Sequence, residues 1–71
     1  MIGQVIRIAE GKHFGFINYN NKDYFFHVDD YLGNWTELKR DMKLLKTIRV
    51  NFEEGNSAKG PRARNVSLVE E

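Results

Sequence analysis

Apolar residues in this chain recur mostly at every second position, in short runs separated by glycine, asparagine and charge. That pattern belongs to half-buried strands rather than to helices. Ile2 to Ile8 is rich in β-branched residues and reads as a first strand. Its alternation is broken, because Val5, Ile6 and Ile8 are all apolar; a bulge, or burial on both faces, would each account for it. After the polar turn Ala9-Glu10-Gly11-Lys12, a second strand from His13 to Tyr19 sets Phe14, Phe16 and Asn18 on one face. Gly15, Ile17 and Tyr19 take the other. Asn20-Asn21-Lys22-Asp23 is a hairpin turn, since asparagine tolerates positive φ. In a third strand from Tyr24 to Val28, Tyr24, Phe26 and Val28 face the core with Ile17. Phe25 and His27 then face the same way as Phe14 and Phe16.

The stretch from Asp29 to Lys46 is read as a loop up to Asn34. Beyond Asn34 the chain forms either a helical turn or two, or continued loop. Leu38, Met42 and Leu45 recur at helical spacing, Lys39, Lys43 and Lys46 form a second stripe, and Asn34 with Glu37 would cap such a helix. Thr47 to Phe52 alternates cleanly as strand four, with Ile48, Val50 and Phe52 inward. Glu53 to Gly60 reads as a flexible loop, Pro61 opens the last strand, and Arg62 to Val69 completes it. Five short strands with early hairpins predict an all-β, five-stranded antiparallel barrel, because closure removes the exposed edges.

Composition narrows the picture. A length of 71 residues fits a single domain spanning 1–71. With no cysteine and two histidines, neither a disulfide nor a structural metal is expected, and no cofactor is implied. No apolar run is long enough to span a membrane and no leader pattern opens the chain, so a soluble, cytoplasmic protein without a membrane partner is expected. The net charge of +1 is too small for bulk electrostatics to drive nucleic-acid binding. Such a function must come from local placement of rings and cations. An enzyme is not expected: Asp29 and Asp30 are adjacent, so extended backbone points them apart, and they read as solvated loop acids. No phosphate-cradling glycine loop or nucleophile motif is present.

Three blocks then carry a resemblance. Lys12-His13-Phe14-Gly15-Phe16-Ile17 resembles the first ribonucleoprotein motif of cold-shock domains, usually Lys-Gly-Phe-Gly-Phe-Ile. Tyr24-Phe25-Phe26-His27-Val28 is similar to the second, usually Val-Phe-Val-His-Phe. Glu54-Gly55-Asn56, followed by Gly60-Pro61-Arg62-Ala63-Arg64-Asn65-Val66, matches the family's closing pattern. Order and spacing agree over nearly the whole chain. The resemblance implies an oligonucleotide-binding barrel that binds single-stranded RNA or DNA and acts as an RNA chaperone or a regulator of transcription or translation. Departures are specific. Arg7 stands where the family has tryptophan, Ile8 and Val28 where it has phenylalanine, Ala9 where it has asparagine, and His13 where it has glycine.

Phe14, Phe16 and Phe25 read from alternation alone either as core or as a stacking platform. Ile17, Tyr24, Phe26, Val28, Ile48, Val50 and Phe52 already supply an inward set, which favours the platform. The candidate nucleic-acid-binding residues are Arg7, Lys12, His13, Phe14, Phe16, Phe25, His27, Trp35, Lys59, Arg62 and Arg64. Rings bind the flat faces of unpaired bases, at about 1–3 kcal/mol per base, and cations meet the phosphates. Lys22 is a further cation of this kind. Trp35 reads as a base-stacking loop ring or as a satellite of the core against Leu38, Arg62 and Arg64 equally as guards of an edge strand, and the Lys39 to Lys46 charges as a solvated face. Three fewer family rings predict weaker or altered binding. The competing reading is a protein-interaction or self-associating barrel with reduced nucleic-acid binding; a monomer is expected, with a weak dimer as the alternative.

Overall fold

The computed structural model describes residues 1–9, 11–44, 47–58 and 60–69, with Asn56 described in its backbone alone. Five strands, β1 (Ile2–Ile8), β2 (Phe14–Tyr19), β3 (Lys22–His27), β4 (Arg49–Ser57) and β5 (Gly60–Leu68), close into a barrel in the order β1-β2-β3-β5-β4. β1 pairs β2 and β4, β2 pairs β3, and β4 pairs β5, all antiparallel. The closing contact between β3 and β5 is parallel. A 3-10 turn over Val28–Asp30 and one helix, α1 (Trp35–Lys43), lie between β3 and β4. The helix is not long and apolar enough to cross a membrane.

The broken alternation of β1 is a bulge. Val5 pairs Ile17 and Arg7 pairs Phe16, so Ile6 is the extra residue and is exposed. A second irregularity in β4–β5 sets Asn51 against Ser67 but Glu53 against Arg64. Asn65 absorbs it at φ 51°, a left-handed conformation that asparagine tolerates. Both irregularities bend their strands, as closure of a small barrel requires. The β2–β3 turn is tight, with Asn20 and Asn21 at φ 54° and 65°, which suits the twist of the flanking strands.

The core is Val5, Ile17, Tyr24, Phe26, Tyr31, Leu38, Ile48, Val50, Phe52, Ala63 and Val66. Of the expected inward set, Val28 departs: it opens the 3-10 turn and is only half-buried. Burial pushes the Tyr31 phenol above its usual value, and the carboxylates of Asp41 and Glu37 push it further. The helix is capped as its sequence suggests. Asn34 Oδ1 accepts from Glu37 N at 3.1 Å, and Leu38 is buried beneath α1. Leu45 and Lys46, the ends of the two helical stripes, lie outside the described residues.

One expectation is corrected. The segment 53–57 is not a flexible loop: β4 runs on to Ser57, and Glu53, Glu54, Gly55 and Ser57 pair with Arg64, Ala63, Arg62 and Gly60. Its polar residues misled because both glutamates are exposed, so the strand shows no apolar alternation there.

Candidate nucleic-acid interface

Directly opposed residues on paired strands project to the same face. The register therefore lays out a row across four strands: Arg7 on β1, Phe16 on β2, Phe25 on β3 and Arg62 on β5. Beside it runs a shorter row, Phe14 opposite His27, and on the other side Gln4, Asn18 and Asp23. Asn18 Nδ2 donates to Asp23 Oδ1 at 3.1 Å, tying that polar row together.

The three phenylalanines touch one another. Ring centroids are 5.9 Å apart for Phe14 and Phe16, 5.3 Å for Phe14 and Phe25, and 6.1 Å for Phe16 and Phe25. All three are half-buried and none belongs to the core cluster. Such mutual edge and tilted contacts hold the rings in place. The glycine between Phe14 and Phe16 has a packing reason. A Cβ at Gly15 would sit 2.7 Å from the Arg7 carbonyl oxygen and 2.7 Å from Ile8 Cδ1, with Phe26 Cε1 at 3.1 Å. The phenylalanines can flank that position outward only because nothing projects from it inward.

Arg62 is positioned by a residue that sequence reading missed. Asp30 Oδ2 accepts from Arg62 Nε at 3.1 Å and Nη2 at 2.9 Å, and from His27 N at 3.0 Å. Held there, the guanidinium lies 5.9 Å from the centroid of Phe25. The expectation that Asp29 and Asp30 are both solvated is corrected for Asp30, whose side chain is 12% exposed; that of Asp29 is 86% exposed. The bond of Asp30 to the His27 amide is a local cap three residues long, but nothing local marks its contact with Arg62, 32 residues away. His27 is fixed by the same turn: its Nδ1 accepts from Asp29 N at 3.2 Å, so a neutral ring carries its proton on Nε2.

The remaining expected residues are dispersed. Lys12 and His13 are exposed in the β1–β2 connection, just before Phe14, and the His13 carbonyl accepts from Val28 N at 2.8 Å. Lys22 is exposed at the far end of the β2–β3 hairpin. Arg64 lies two residues from Arg62 on the outward side of β5, opposite Glu53, with its stem close over Gly55. Lys59 lies outside the described residues. Of its two readings, Trp35 takes that of a satellite of the core. It opens α1 with its ring centroid 5.7 Å from Phe26 and 6.1 Å from Tyr31, packed against the core, and its Nε1 is buried with no hydrogen-bond partner among the described residues. Ile8 also packs against the core.

The outcome is a compact aromatic patch with an arginine at each end of its central row. The patch offers apolar ring surface to flat, unpaired groups and positive charge at its margins. The model of the 'Cold-shock' DNA-binding domain family matches residues 1–69. No curated protein matched the chain.

Proposed function

The chain belongs to the cold-shock DNA-binding domain family, and from that premise we propose that it binds single-stranded RNA or DNA by stacking unpaired bases on Phe14, Phe16, Phe25 and His27. Arg7, Lys12, His13, Arg62, Arg64 and Lys59 supply contacts to the backbone. The observation that carries this reading is the row Arg7–Phe16–Phe25–Arg62, whose rings stay half-exposed while the core is complete without them. A core role leaves that exposure unexplained; a stacking surface requires it.

Arg7 at one end of the row offers a guanidinium plane where relatives carry a tryptophan, and Arg62 offers another over Phe25. Both planes stack on bases as well as attract phosphate. Binding is passive: holding unpaired bases against the rings disfavours hairpins in the bound strand without ATP. This is the action of an RNA chaperone, and through it of a regulator of transcription or translation, in a monomeric cytoplasmic protein.

A titration with a pyrimidine-rich heptamer, as RNA and as DNA, tests the proposal. Binding that weakens with salt supports it; no binding of either heptamer at low salt refutes it. Sizing at several concentrations separates the competing reading, since a stable dimer that covers the phenylalanines would favour a self-associating barrel.

A further inference from the structure

A groove lies between α1 and the bulged end of β1. It holds about 220 Å³ and is lined by Arg7, Ile8, Lys39, Met42 and Lys43. Three of these five are cations and two are apolar. Among the described residues, no carboxylate lines it. Lys39 and Lys43 are four residues apart on α1 and Met42 is three from Lys39, so all three share the helix side that faces β1. Of the charges read as a solvated face, Lys39 departs, being half-buried at the groove, while Lys43 is exposed.

We propose that this groove is a nucleotide subsite, taking one further unit of the strand that lies on the aromatic rows. The inference rests on the stacking reading above. The chemistry of the lining selects the occupant. Ile8 and Met42 give an apolar floor for a base face, and the polarizable thioether of Met42 suits contact with an aromatic ring. Lys39, Lys43 and Arg7 supply the positive charge that a phosphate needs. The volume lies below the roughly 300 Å³ at which pockets for drug-sized ligands begin, so it suits one nucleotide unit and not an extended cofactor. Arg7 makes the groove continuous with the platform. It opposes Phe16 in the central row and also lines the groove. A strand leaving Phe16 past Arg7 enters the groove directly. The same bulge that turns Ile6 and Arg7 outward therefore extends the binding path onto α1.

The test uses the full chain and the double variant Lys39→Ala/Lys43→Ala, which leaves every platform residue in place. Thymidine oligomers of about four to about ten nucleotides, within the span of one such barrel, are titrated by fluorescence polarisation. The subsite predicts that the variant binds the shortest oligomers like the wild type. It then fails to gain the extra affinity that the wild type shows at greater length. For the longer oligomers, the loss of two phosphate contacts lowers the salt slope by roughly 1.4. Between about 50 and about 200 mM salt, the wild type should then lose roughly sevenfold more affinity than the variant. Equal behaviour at every length, or a uniform loss at every length, overturns the subsite while leaving the platform standing. A wild type that binds no oligomer overturns both.

Discussion

Asp30→Asn separates positioning from charge at the edge of the platform. In the wild type, one carboxylate oxygen accepts three hydrogen bonds, two from Arg62 and one from the His27 amide. Asparagine retains an oxygen for the His27 amide but loses the negative charge. Hydrogen bonds to a charged partner contribute about 1.5–3 kcal/mol and neutral ones about 0.5–1.5 kcal/mol. Arg62 is 35% exposed, so solvent screens part of that difference. The expected loss is about 1 kcal/mol, a fall in Tm of about 4–8 °C for a domain of this size. The second consequence concerns binding. Asp30 offsets part of the charge that Arg62 presents to a bound strand; with that carboxylate gone, Arg62 faces the phosphates unopposed. The slope of log affinity against log salt should steepen by up to roughly 0.7. Circular dichroism melts and polarisation titrations at two salt concentrations read both effects. An unchanged Tm with an unchanged slope would refute the role given to Asp30.

Three further outcomes rest on the packing. Gly15→Ala forces a Cβ against the β1 backbone at 2.7 Å, and overpacking of this kind costs about 1–3 kcal/mol; urea unfolding should show it as a lower midpoint with an unchanged slope. Asn34→Ala removes the acceptor for Glu37 N and should cost about 0.5–2 kcal/mol in the same assay. Tyr31 gives a pH signature. Its folded pKa is raised above the ordinary 10.0, so the folded state holds the phenol proton more tightly than the unfolded state does. The stability it confers is complete below the ordinary value and is lost as pH rises toward the folded one. Tyr31→Phe should therefore narrow the drop in unfolding midpoint between about pH 9 and about pH 11.

How much the sequence reveals depends on how local each signal is. β1, β2 and β3 announce themselves because inward and outward residues alternate; Val5, Ile6 and Ile8 break that alternation in β1, and only the pairing with β2 tells a bulge from burial on both faces. The Asn34 cap is legible because its partner is three residues away. The continuation of β4 through Glu53 and Glu54 is not, because it is defined by pairing with β5 and both its glutamates are exposed. Asp30 is invisible for a similar reason: it meets Arg62 only after the parallel β3–β5 contact closes the barrel. Trp35 illustrates the limit of residue type as a guide. Residue type alone leaves both a stacking ring and a core satellite open; capping by Asn34 places Trp35 on the first turn of α1 and turns its ring toward Phe26 and Tyr31. The groove beside Arg7 needs both the helix and the bulge, and neither alone indicates it.

The central claim is that the half-exposed rings of β2 and β3 bind bases and do not hold the fold. Its most direct test is to measure heptamer affinity and thermal stability together for the wild type, Phe16→Ala and Phe25→Ala. The account predicts that each substitution weakens binding by about 1–3 kcal/mol, while the cooperative melt and the barrel's circular dichroism are retained. Full affinity in both variants, or loss of the folded state with each substitution, would contradict it.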